Sequence, residues 1–271
     1  MNTKLAIIGD IAYENTIIDS IDYTCLGGSG YYASIGSLAS GNKSFLLITC
    51  VGSDFDFSYT NKLGISDRGI TIVSNTTTAR FTTKFLSKEG ERTFFADLGA
   101  LAFPYYGVID EFIDAAIVFL AGSSPVRQLG WLNELQKRHF TGIIACDVFE
   151  KYCLENAEDT IRVIESSNIV FMNENESQIL RFNPFESEKT CILKKGERGA
   201  DLFNHGESII HVYPKYRYTA IDTNGAGDVL AASFLSKILA GFSYKEALQF
   251  AVNLASLSVT KKDVKHILEE E

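Results

Sequence analysis

Short apolar runs that alternate with helix-patterned segments constrain this chain more than any other feature. Each run is too short for a buried helix and too continuous for a half-exposed strand. The runs at 5–8, 45–51, 116–121, 142–146, 169–172 and 191–194 read as strands buried on both faces. Around them, residues 30–40, 54–63, 126–139, 155–165, 174–182, 225–240 and 244–260 carry apolar side chains at helical spacing. That rhythm predicts an α/β fold, a mostly parallel sheet covered by helices on both faces. A length of 271 residues allows one large core, and no Pro-rich or Ser-rich linker divides it, so one domain over 1–271 is expected.

The rhythm breaks once. Residues 76–95 are rich in Thr, Phe and Arg, and Lys88-Glu89-Gly90-Glu91 supplies a turn between two strand-like runs. This is a hairpin without a crossover helix, either an ordinary edge hairpin or a small lid.

Composition narrows the partners. A net charge of −9 argues against nucleic acid or an anionic membrane surface, and 46% apolar residues argue against disorder. The run at 5–8 is followed at once by Gly9 and Asp10, too short for a signal segment, and no apolar run approaches bilayer length. The expectation is a soluble cytoplasmic protein. Five cysteines, Cys25, Cys50, Cys146, Cys153 and Cys191, form no C-x-x-C pair and read as free thiols. The four histidines, His139, His205, His211 and His266, lack metal-ligand spacing, so no protein-only zinc site is proposed.

The chemistry concentrates in Asp222-Thr223-Asn224-Gly225-Ala226-Gly227-Asp228. Val229, Leu230, Phe234, Leu235, Ile238 and Leu239 follow at helical spacing, which places the string at a helix N-terminus. Unpaired amides of Gly225, Ala226 and Gly227 would face outward there, the helix dipole favours negative charge, and the missing side chains let a phosphate approach. Asp228 would stand beside it as a base. A plain helix start with a dipole-complementing Asp uses the same residue types but does not need two glycines.

This string resembles the D-T-x-G-A-G-D signature of the phosphofructokinase B, or ribokinase-like, family of small-molecule kinases, with every fixed position met. The resemblance implies a three-layer α/β/α sandwich with a small β-lid formed near 11–24 and 76–97. It implies ATP and Mg²⁺ as cofactors, leaves a monovalent cation open, and allows a homodimer through the lid. Other stretches match the family in order. Asp10, with Gly27 and Gly28 ahead of a helix, stands where the family holds the acceptor hydroxyls; Arg92 belongs to the Gly90-Glu91-Arg92-Thr93 lid strand. Asn173 and Glu176 resemble an N-x-x-E motif that organises Mg²⁺, although a helix cap would use the same residues. Lys194, Gly196 and Gly199 resemble a nucleotide-binding turn, the resemblance adds Thr223 to the nucleotide-binding residues, and Asn253 falls where the family lines its adenine pocket. The chain departs from the family at Tyr32, where Asn is usual, and this opens the choice of acceptor.

The resemblance therefore implies γ-phosphoryl transfer from ATP to a hydroxyl of a sugar or polyol, with Asp228 as base and the 225–227 amides as anion hole. Two alternatives stand beside it. One is a nucleoside or cyclitol kinase, with Tyr13, Tyr31, Tyr32 and the Phe-rich lid available to stack on a base. The other is a ligand-binding regulatory homologue without catalysis, motivated by Tyr32 and by Phe149, which stands where the family often carries a polar residue. No G-x-x-x-x-G-K-[ST] loop is present.

Overall fold

The computed structural model describes residues 4–18, 21–85, 92–205 and 207–269. Its elements run β1 (Leu5–Ile8), β2 (Ala12–Ile18), β3 (Ile21–Gly27), α1 (Ser29–Ala39), β4 (Phe45–Gly52), α2 (Ser58–Asn61) and β5 (Ile70–Val73). There follow β6 (Ala79–Phe85), β7 (Arg92–Asp97), β8 (Ile117–Leu120), α3 (Pro125–Lys137), β9 (Ile143–Asp147), α4 (Glu150–Glu155) and α5 (Ala157–Glu165). The chain continues through β10 (Ile169–Asn173), α6 (Glu174–Leu180), β11 (Thr190–Lys194), β12 (Ala200–Asn204), β13 (Glu207–Val212), α7 (Ala226–Leu239) and α8 (Tyr244–Ser258).

Nine strands form the large sheet in the order β13-β12-β11-β10-β9-β8-β1-β4-β5. Every pairing from β11 to β5 is parallel, and β12 and β13 complete one edge as an antiparallel hairpin. Strand alternation divides the apolar residues between two cores. Leu5, Ile7, Leu47, Phe119 and Phe171 pack with Ile35, Phe234 and Leu248 from α1, α7 and α8. Ala6, Ile8, Leu46, Val118 and Met172 pack on the opposite face with Trp131, Leu135 and Val163 from α3 and α5. This accounts for the unbroken apolar runs: a strand covered on both sides has no polar face to show.

The second sheet has the order β3-β2-β6-β7. It is a small separate sheet, and β2 pairs with β6 in parallel although the hairpins on either side are antiparallel. The turn expected at 88–91 lies outside the described residues. Register places Glu14 beside Phe81, Phe81 beside Ala96, and Thr83 beside Phe94, so these side chains share one face.

Two sequence expectations need correction. The helix expected over 54–63 is only the single turn α2. Asp54 is drawn away to the small sheet, where it accepts hydrogen bonds from the Thr78 N–H at 2.6 Å and hydroxyl at 2.8 Å and pairs with Arg80 at 2.9 Å. Strands β5, β12 and β13 were not expected, because each lies toward a sheet edge and lacks a continuous apolar run.

Candidate active site

The signature loop enters α7 as its spacing predicts. Gly225 is the N-cap with φ 75°, a left-handed conformation that glycine adopts without strain. A Cβ there would also lie 2.2 Å from the Tyr32 ring. Among the described residues, the amides of Gly225, Gly227 and Asp228 have no backbone partner, and the Ala226 N–H makes only a long contact of 3.4 Å to the Thr223 carbonyl. The loop itself is tightened by Asp222, whose Oδ1 accepts the Asn224 N–H at 2.9 Å and whose Oδ2 accepts the Tyr23 hydroxyl of β3 at 2.7 Å.

Two cavities meet at this loop. One, of about 490 Å³, is lined by Gly196, Gly199, Pro214, Tyr216, Tyr218, Thr223, Ala226, Leu230, Val252 and Val259. The other, of about 280 Å³, is lined by Asp10, Glu14, Gly28, Ser29, Tyr32, Phe81, Phe94, Phe149, Asn173, Glu176, Asn224, Gly225 and Asp228. Lys194, Thr223 and Gly227 line both. A helix N-terminus with free amides thus stands at the boundary between a larger, largely apolar cavity and a smaller carboxylate-rich one.

The charges at that boundary are ordered by burial. Lys194 Nζ lies 2.7 Å from both oxygens of the buried Asp147. Burial alone would lower Lys194, but Asp147 and then Glu176 hold its pKa above the usual range. Burial pushes Asp147 upward against the pull of Lys194. Asp228 sits well above the ordinary carboxylate range, first because it is desolvated and second because Asp147 is negative. Its side chain still reaches the smaller cavity.

Glu14 was missed by sequence reasoning. It projects from β2 into the smaller cavity, where its Oε1 accepts the Gly28 N–H at 2.8 Å and its Oε2 accepts the Tyr32 hydroxyl at 2.6 Å. Gly27 is glycine because a Cβ would lie 2.3 Å from Glu14 Cδ. Gly28, with φ 95°, lines the smaller cavity and gives its N–H to Glu14, and a Cβ on it would lie 2.5 Å from the Asp10 carbonyl oxygen. Burial raises the Glu14 pKa, with the bonds from Tyr32 and Gly28 opposing. The only signal in the sequence was an acidic residue within a short strand-like stretch, AYENTII, that also carries Asn15 and Thr16.

Other expectations divide. Asp10 lines the smaller cavity. Tyr32 lies between Glu14 and Gly225, but Tyr31 is fully buried and Tyr13 packs against Phe55 and Tyr59, so neither lines the cavity. The aromatic wall is instead Phe81, Phe94 and Phe149, with ring centroids 5.5 and 6.0 Å apart. Arg92 opens β7 opposite Phe85. Asn253 does not line the larger cavity; its Oδ1 accepts the Lys215 N–H at 2.8 Å and so fixes the loop that carries Tyr216. Asn173 and Glu176 form a reciprocal capping box on α6, with bonds of 2.9 and 2.7 Å. Glu176 Oε1 remains outside that box, and burial moves its pKa up to about 7. Asn173 and Glu176 line the smaller cavity, and a carboxylate oxygen outside the capping box beside an amide is a donor set that suits Mg²⁺, which keeps most of its ligands as water and phosphate oxygens.

The profile of pfkB family carbohydrate kinases matches residues 31–271. The chain belongs to this family of ATP-using kinases, phosphotransferases with an alcohol acceptor. A nucleoside kinase of Methanocaldococcus jannaschii is 26% identical over 250 residues, covering 87% of this chain and 80% of that protein. Ribokinase of Arabidopsis thaliana is 38% identical over 74 residues, which are 27% of this chain and only 20% of that relative. Among solved structures, Burkholderia thailandensis nucleoside kinase in complex with inosine superposes with a TM-score of 0.84 at 16% identity, covering 97% of this chain and 93% of that one. Arabidopsis thaliana ribokinase complexed with ribose and ATP gives 0.76 at 20% identity, covering 99% and 98%. These superpositions establish the ribokinase-like architecture of this pfkB-family chain, the α/β/α sandwich with its small second sheet. No helix among the described residues is long and apolar enough to cross a membrane.

Proposed function

We propose that this pfkB-family chain transfers the γ-phosphoryl group of ATP to a hydroxyl of a sugar or polyol bound in the smaller cavity. The observation that carries the reading is the junction of the two cavities at Lys194, Thr223 and Gly227, directly beside the free amides of α7. The larger cavity takes the nucleotide, base toward Tyr216, Val252 and Val259 and phosphates toward Gly227. Asp228, whose proton affinity burial has raised, accepts the acceptor's hydroxyl proton as attack proceeds. The Gly225, Ala226 and Gly227 amides hold the oxygens of the transferring group, and Lys194 stands by with its charge. Asn173 and Glu176 would hold Mg²⁺ through water, and the ion would supply charge neutralisation on the phosphates. The lid face of Phe81 and Phe94 covers the acceptor and excludes competing water.

One observation favours a second reading. The three-ring wall of Phe81, Phe94 and Phe149 offers a stacking surface that a small polyol would not use, which supports a nucleoside as acceptor. Phosphorus NMR of reactions with D-ribose, myo-inositol and inosine in the presence of MgATP separates these readings. A new phosphomonoester signal from one of them supports phosphotransfer and names the class. ATP left intact with every probe, in protein that folds, counts against it.

A further inference from the structure

Asp10 is fixed more thoroughly than any contact with an acceptor alone would require. Its N–H donates to Ser29 Oγ at 3.2 Å, and its carbonyl accepts the Gly30 and Tyr31 N–H groups at 3.0 and 3.2 Å, so its backbone is locked to the start of α1. Its carboxylate lies at the wall of the smaller cavity. From α3, on the other side, Arg127 Nη2 donates to Asp10 Oδ1 at 2.7 Å and to the Tyr105 hydroxyl at 3.0 Å, and the guanidinium sits 5.8 Å from the Tyr105 ring centroid.

This arrangement is a poor one for stability alone. Arg127 Nε is buried without a hydrogen-bond partner, and a buried ion pair with an unpaired donor is worse than well-packed apolar side chains of the same volume. The gain is at Asp10. With Oδ1 held by the guanidinium, the side chain has one orientation, and among the described residues Oδ2 makes no hydrogen bond. An oriented carboxylate oxygen at a cavity wall accepts from a hydroxyl.

We propose that Arg127 is a positioning residue of the acceptor site, holding Asp10 so that its free carboxylate oxygen receives a second hydroxyl of the acceptor. This rests on the smaller cavity being the acceptor site. It makes the acceptor a compound with at least one hydroxyl besides the one phosphorylated. It also disfavours an anionic group at this wall, because the guanidinium is already committed to Asp10 and Tyr105.

The test compares wild type with Arg127→Met, Arg127→Lys and Tyr105→Phe in steady-state ADP release, using D-ribose, myo-inositol and inosine as probes and thermal melting as the check on folding. Loss of one oriented hydrogen bond to a charged group predicts that Arg127→Met raises the acceptor KM by about tenfold or more, while the MgATP KM stays within about twofold. Arg127→Lys recovers part of the loss, because a point charge restores the pairing without the planar fork. Tyr105→Phe, which removes one anchor of the guanidinium, gives a smaller rise in the same constant and keeps the inference testable if the Met variant does not fold. An unchanged acceptor KM in folded Arg127→Met and Tyr105→Phe overturns the inference and leaves the kinase reading intact. So does a parallel rise in both KM values with a lowered Tm, which marks a purely structural clamp. Wild type that releases no ADP with any probe overturns both.

Discussion

Asp228 is the base of the proposed reaction, and its environment gives a definite expectation. Replacing it by Asn keeps the shape and removes the proton acceptor, so Asp228→Asn should lower kcat by about 10²- to 10⁴-fold with ligand binding retained. The glycines beside it are not equivalent. A Cβ at Gly227 would lie 3.1 Å from Lys194 Nζ and 3.8 Å from Asp147 Oδ2, a tight fit but no overlap with backbone or ring, whereas one at Gly225 would strike the Tyr32 ring and force a left-handed φ on an L side chain. Gly225→Ala is therefore expected to lower stability by about 1 kcal/mol or more, and Gly227→Ala by less; thermal melts of the two variants check the order. Glu14 provides a pH test. Its folded pKa lies above the 4.5 of a free glutamate, so the native state holds the proton more tightly than the unfolded chain. The stability from this group is complete below about 4.5 and is lost as pH rises through the folded pKa. Melting profiles of Glu14→Gln, which keeps an acceptor but cannot ionise, should lack that part of the decline. The glycines and Asp228 were legible in the sequence because a helix N-terminus is a local structure that these residue types determine. Glu14 and Arg127 were not, since each acts through a partner that only the fold supplies: Tyr32 and Gly28 for one, Asp10 for the other.

At the scale of elements, the buried strands and long helices follow from periodicity. β1 occupies the residues its apolar run marks, and α7 and α8 each end within two residues of the predicted limit. Expectation fails where an element's fate depends on its neighbours. Asp54 leaves its would-be helix to bind Thr78 and Arg80, and β12 and β13 become strands because β11 offers an edge to pair with. The capping box on α8 makes a clean test of local stabilisation: Ser243 Oγ accepts the Glu246 N–H at 3.3 Å, and the Glu246 carboxylate returns to the Ser243 N–H at 3.0 Å. Ser243→Ala should cost about 1 kcal/mol in denaturant unfolding without altering turnover. The small sheet is tied to the signature loop through Tyr23 and Asp222. Removing that hydroxyl in Tyr23→Phe takes away a hydrogen bond to a charged group, worth about 1.5 to 3 kcal/mol at most, and should appear as a raised acceptor KM more than as a lowered kcat.

For the whole molecule, both apolar cores share one sheet, so neither layer of helices can leave without exposing the face beneath it. This predicts one cooperative transition over 1–271 in calorimetry, with equal calorimetric and van't Hoff enthalpies; two resolved transitions would contradict the single-domain reading. The same sheet brings the ends of β1, β9, β10 and β11 to one rim, which is where Asp10, Asp147, Asn173 and Lys194 gather although they are far apart in the chain. The central claim is phosphoryl transfer at that rim with Asp228 as base. Its most direct measurement is acceptor-dependent ADP release from MgATP by wild type and Asp228→Asn, with nucleotide binding followed in parallel. The account predicts release by the wild type with at least one polyol or nucleoside, and an Asp228→Asn protein that binds nucleotide but turns over at least about a hundredfold more slowly. An Asp228→Asn variant as active as the wild type would contradict it.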